Sequence, residues 1–190
     1  MSKSWNFVVK PDANWTPERK HLQESLASGD VVVCVVVSTS FIDHALSRML
    51  ARLFIKGSTS EKILDHNKGI LGSLNAKSDL AYCLGLIPKT LYQNLKTIAE
   101  LRNKIAHRLE DYTFYHEEIA PFCNKLLIPA NPFKSLPVIE YSAVNPQKAP
   151  TSPRIRFYYA VSFVHSDLEA RTALTITSKT VSDGIWGECI

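Results

Sequence analysis

The sequence predicts an all-α fold, a single-domain bundle of about six or seven helices with a proline-rich connector before the last. Three observations carry this. Apolar residues recur at steps of three and four in several stretches, as in Phe41, Ile42, Ala45, Leu46, Met49, Leu50 and Leu53. Capping residues stand where such stretches begin: Thr16 before Pro17-Glu18, Asp30 before a valine run, Ser152 before Pro153. Glycines close them at Gly29, Gly57 and Gly85.

Residues 1–15 read as an N-terminal arm, with a short β-like run at Trp5–Val9 ended by Pro11. The bundle core is expected over 16–128. Its first helix runs from Thr16 to about Ser28. The run Val31-Val32-Val33-Cys34-Val35-Val36-Val37 favours a strand by propensity. Helical spacing continues downstream of it, however, and no Gly or Pro interrupts residues 31–56. One long helix over about 30–56 is therefore predicted, apolar all round in its first half and central to the bundle. A short helix follows at 61–67, another at Leu74–Leu84, and a longer one from Pro88 to about His107. Thr113 can cap a further helix to about Leu127. Residues 129–153 hold six of the ten prolines and read as an irregular connector. A C-terminal helix over 154–180 packs back on the core, on Ile155, Tyr159, Phe163, Leu168 and Leu174. Residues 181–190 read as a tail.

Composition narrows the function classes. The chain has 190 residues, a formal charge of +4 and 45% hydrophobic residues. That balance permits an anionic partner without the clear basic footprint of a nucleic-acid-binding domain. The start shows no signal-peptide pattern and no stretch approaches a membrane span, so a cytoplasmic protein with no membrane partner is expected. Cys34, Cys83, Cys123 and Cys189 are widely spaced, form no CxxC pair and read as structural thiols. No cofactor or metal is expected: His107, Asp111 and His116 lack ligand spacing, and His116-Glu117-Glu118 is not HExxH. Gly69-Ile70-Leu71-Gly72 lacks the spacing of a phosphate loop. Asp43-His44 cannot be tied to a serine nucleophile. His21, His66 and His165 read as surface or boundary histidines.

The stretch that stands out is Leu101-Arg102-Asn103-Lys104-Ile105-Ala106-His107. Counting along its helix, the apolar seam reads Leu91, Leu95, Ile98, then Arg102, then Ile105. A guanidinium on that seam cannot shed its charge and needs a receiver. A second cationic feature is Arg48, Arg52 and Lys56, aligned at i, i+4 on the long helix. These are a candidate phosphate-tracking, nucleic-acid-binding strip, or else a solvated face whose charges suit a helix C-terminus.

Most of the chain resembles the mannitol operon repressor (MtlR-like) family. The resemblance rests on Gly69–Leu74, on Lys77-Ser78-Asp79-Leu80-Ala81-Tyr82-Cys83-Leu84-Gly85-Leu86-Ile87, on Leu101–Phe114, and on the order of the parts. Arg102-Asn103-Lys104-Ile105-Ala106-His107 is also similar to the signature of the HEPN superfamily, where Arg, four residues and His recur on a helical bundle. A polar residue directly after the Arg is typical of members thought to cleave RNA, usually as dimers with the two Arg/His pairs meeting at the interface. Leu109 stands where a subset of that superfamily has Tyr, so self-modification is not implied.

For metal-independent RNA cleavage, His107 can shuttle the proton, Arg102 can stabilise the phosphate, and Asn103 can orient the imidazole. Arg102 and His107 are, however, roughly 140° apart on an ideal helix. They converge only if the helix ends near Ala106 or a second copy supplies the partner. The structural alternative pairs Arg102 with a neighbouring carboxylate and makes His107 a cap. Three functional readings follow. One is a non-catalytic regulator acting through a protein partner, since no helix-turn-helix is visible and direct DNA binding is not expected. The second is a HEPN-type endoribonuclease using Arg102, Asn103 and His107 across a homodimer, with RNA as substrate. The third is a plain helical scaffold. The first is preferred, which makes the chain more a binding protein than an enzyme.

Overall fold

The computed structural model describes residues 16–106, 112–128 and 152–174, which form seven helices and no strand. The N-terminal arm, nearly all of the proline-rich connector, the tail and His107 lie outside the described residues.

Helix α1 (Pro17–Ala27) opens at Thr16, whose hydroxyl accepts from Arg19 N at 3.2 Å. It closes at Gly29, which holds φ +85°, and Arg154 from the last helix donates to Ala27 O at 3.1 Å. A Cβ at position 29 would lie 3.0 Å from that guanidinium, so both conformation and space select glycine there.

Helix α2 (Val31–Ala51) resolves the valine run as helix. Asp30 Oδ1 accepts from Val32 N and Val33 N at 2.8 and 3.0 Å, which satisfies two of the unpaired N–H groups at the helix start. Burial of Val31, Cys34, Val35, Ile42, Leu46 and Met49 on α2 then outweighs strand propensity. The helix is central, packing on α1, α3, α4, α5 and α7. It is not buried all round, because Val32, Val33 and Val36 face outward. It also stops five residues short of position 56: Arg52 is the C-cap, and Phe54 turns back against the core. By length and composition alone, α2 is apolar enough to cross a membrane, with mean hydropathy 1.5 over its best window. Its packing on five other helices accounts for that apolarity.

Helix α3 (Ser58–Leu64) begins three residues before the expected 61–67. Behind it, Gly69 and Gly72 press on its carbonyls and those that follow. A Cβ on Gly69 would lie 2.4 Å from Ile63 O, and one on Gly72 would lie 2.8 Å from Asp65 O. Backbone packing alone selects glycine at both positions.

Helix α4 (Leu74–Cys83) is capped by Ser73 and followed by Gly85 at φ +68°. Helix α5 (Lys89–Ala106) buries Leu91, Leu95, Ile98, Leu101 and Ile105. Residues 112–119 form turns, and only Ala120–Lys125 is helical (α6), so the helix expected over 113–127 is much shorter. Here tertiary bonds replace helical ones. Asn94 donates from Nδ2 to Leu127 O at 2.9 Å and accepts from Leu127 N at 2.8 Å. Arg156 Nε donates to Leu126 O at 2.8 Å. Helix α7 (Pro153–Leu174) buries Phe157 to Ser162, Val164, His165 and Leu168. Leu174, expected on the packed face, is 82% exposed.

Candidate functional site

The end of α5 places the motif that the sequence singled out. Arg102 is exposed, and its place on the packed seam is taken by Leu101. The seam therefore steps Leu91, Leu95, Ile98, Leu101, Ile105, which are as compatible with a helix as the steps through Arg102. The guanidinium needs no buried receiver. Its Nη1 donates to Asn103 Oδ1 at 3.3 Å, and among the described residues it pairs with no carboxylate. The carboxylate goes to Lys104, whose Nζ lies 2.9 Å from Glu118 Oε1. Tyr112 donates to the other oxygen of Glu118 at 3.1 Å. That contact ties α5 to the turns after the motif. His107 lies outside the described residues.

Ala99, Arg102 and Asn103 form one wall of a cleft of about 770 Å³ between α2, α4 and α5. The α2 wall presents Ser40, Asp43, His44 and Ser47; the third wall carries His66, Ser73 and Asn75. Lys77 also lines the cleft. Its side chain is only 1% exposed, and its Nζ lies 2.6 Å from Asp43 Oδ2. His66 Nδ1 is 3.8 Å from the same oxygen. Two buried acceptors on these walls, Asp43 Oδ1 and Asn75 Oδ1, receive no hydrogen bond.

Sequence reasoning missed Lys77. The signal was available, since Leu74, Lys77, Ser78 and Ala81 are the buried positions of α4 at steps of three, one and three. The test applied to Arg102, a cation on a packed face, picks out Lys77 instead. Asp43 is the counter-ion of that lysine. It is thereby committed to Lys77 and not to orienting His44.

The three cations aligned in the sequence have different surroundings in the structure. Arg48 bonds Glu169 of α7, Arg52 is the helix C-cap, and Lys56 lies beyond the helix end. His165 is buried, not peripheral, and desolvation holds its imidazole below the ordinary histidine range. Burial raises the thiol of Cys34 and pushes that of Cys123 up to about 12, so both are packing groups; Cys83 is exposed. Among the described residues no cluster of three His, Cys, Asp or Glu side chains could hold a metal ion.

A family model described as "Mannitol repressor" matches residues 19–183. The chain belongs to the mannitol repressor (MtlR) family. Solved structures share the fold. One is the MtlR–HPr complex from Escherichia coli, 19% identical, with a TM-score of 0.59 over 81% of this chain and 99% of that one. Another is a possible transcriptional regulator, YggD, from Shigella flexneri, 14% identical, with a TM-score of 0.55 over 79% of this chain and 98% of that one. Comparison with curated protein sequences gave no significant match.

Proposed function

We propose that this MtlR family member is a cytoplasmic regulator that works by binding a protein partner, and that the partner is HPr. The match to the family model over residues 19–183 carries the reading. The E. coli relative whose structure is a complex with HPr supports the choice of partner, since this fold spans 99% of that chain. Titration of the purified chain with HPr from the same organism tests it, with saturable binding expected. Failure to bind would remove HPr as the partner.

A second reading is kept because one observation favours it. Arg102 and Asn103 face a solvent-accessible cleft, and among the described residues no carboxylate pairs with the guanidinium, as suits a phosphate-binding pair. In that reading a homodimer brings two copies of Arg102, Asn103 and His107 together and cleaves RNA without a metal ion. Incubation with mixed RNAs in chelator tests it. Cleavage that disappears in both Arg102→Ala and His107→Ala supports the reading, and cleavage that survives either change removes it.

A further inference from the structure

We infer that the outward strip of α2 at Val32, Val33 and Val36 is a docking surface, and that its occupant is the N-terminal arm of the same chain, held through Trp5, Phe7 and Val9. The strip calls for a cover. Its three valines are 42%, 41% and 44% exposed. On a solvated helix face a β-branched side chain loses rotamer freedom and gains nothing from burial, so straight-chain polar residues suit such positions better. Valines side by side on one helix edge suit a face that something covers.

The arm joins the bundle beside this strip. It ends at Thr16, which lines a cavity of about 270 Å³ together with Ser40, Phe41, His44 and Arg48 of α2. Val36, Ser40, His44 and Arg48 follow one another at steps of four and are all exposed, so they form one continuous line along the helix. From His44 back to Val32 that line covers roughly 18 Å, at about 1.5 Å per residue. The seven residues from Val9 to Trp15 span up to about 23 Å when extended. The reach is sufficient.

The chemistry of the arm matches. Trp5, Phe7 and Val9 alternate with Asn6, Val8 and Lys10, so an extended arm turns all three to one side. A second copy of the chain fits less well. Three part-exposed valines supply a small part of the roughly 800 Å² per partner that a standard interface buries. A tethered segment needs far less area, because its effective concentration at the strip is high. Docked there, the arm lies along the rim of the cleft that holds Arg102, since Val36, Ser40 and His44 belong to the α2 wall of that cleft.

This contact does not depend on which partner the regulator binds, and its test is separate. The chain has three tryptophans, Trp5, Trp15 and Trp186. In the full chain carrying Trp15→Phe and Trp186→Phe, Trp5 is the sole tryptophan reporter. Its emission is expected to be blue-shifted, and less open to acrylamide quenching, than that of a synthetic peptide of residues 1–15 with the same Trp15→Phe change. Val33→Lys combined with Val36→Lys should abolish the shift and leave the helix content unchanged, since lysine has a better helix propensity than valine. Leu84→Lys, at another exposed apolar position, should leave the shift in place. Peptide-like emission from the chain with both valines intact overturns the inference. So does a blue shift that survives the paired lysines, or one lost equally in Leu84→Lys. A shift that disappears on dilution in step with dissociation of a dimer also overturns it, and assigns the strip to a second copy.

Discussion

Lys77 of α4 and Asp43 of α2 form an ion pair inside the bundle, Nζ to Oδ2 at 2.6 Å, with the lysine side chain 1% exposed. The pair joins the central helix to α4 at the base of the polar cleft. It is also where removing charge and breaking a pair have different consequences. A buried charge that has lost its partner is far costlier than a buried pair replaced by apolar groups.

Asp43→Ala should therefore destabilise the fold by about 3–5 kcal/mol, because it strands the Lys77 ammonium. Asp43→Leu combined with Lys77→Met should recover most of that loss. Urea unfolding of the two variants beside the parent checks this. A double variant no more stable than Asp43→Ala would show that the pair itself, and not the stranded charge, sets the cost.

Asn94 holds the backbone of Leu127 by donating to its carbonyl and accepting from its N–H. Asn94→Ala should cost about 2 kcal/mol by leaving both groups without a partner. Asn94→Asp keeps the acceptor but sets a buried carboxylate oxygen against the Leu127 carbonyl, so it should cost at least as much as Asn94→Ala. Hydrogen exchange at the Leu127 amide gives the local reading, with faster exchange expected in Asn94→Ala.

The glycines on either side of α3 divide by surroundings. A Cβ on Gly72 would lie 2.8 Å from two backbone carbonyls, whereas one on Gly57 would meet nothing within 4 Å. Gly72→Ala should destabilise by about 1–3 kcal/mol, as overpacking does. Gly57→Ala, at an extended position, should be near neutral. Thermal melts of both variants check the contrast.

His165 predicts an acid-side loss of stability. Burial holds its folded pKa below the ordinary value, opposed by Glu169 and aided by the charges of Arg19 and Arg48. Between the folded pKa and the unfolded value near about 6.5, the unfolded chain binds more protons than the native one. The contribution is therefore intact above about pH 6.5 and is lost as pH falls through the folded value. Unfolding free energy measured across that window should decline more steeply for the parent than for His165→Gln.

Much of the fold was legible because local and tertiary signals agreed. Thr16 and Asp30 cap their helices, and Gly29 and Gly85 take the positive φ that ends a helix without strain. The valine run became helix because the cap at Asp30 and the downstream spacing together outweigh propensity. The end of α2 falls earlier than the spacing predicts because Leu53 and Phe54 keep helical spacing past the last helical turn, where Phe54 packs back against the core. The helix expected over 113–127 gave way to contacts no periodicity reveals, among them Lys104 and Tyr112 on Glu118. At the site, steps of three and four allowed either Leu101 or Arg102 onto the seam. A desolvated guanidinium costs far more than a buried leucine, and that difference decides the rotation of the helix.

The most direct test of the central claim is a calorimetric titration of the purified chain with HPr from the same organism, in buffer with chelator. The account predicts saturable binding that survives Arg102→Ala, because a protein-binding regulator does not require the motif as a catalyst. No heat of binding with HPr, together with Arg102-dependent RNA cleavage by the same preparation, would contradict it.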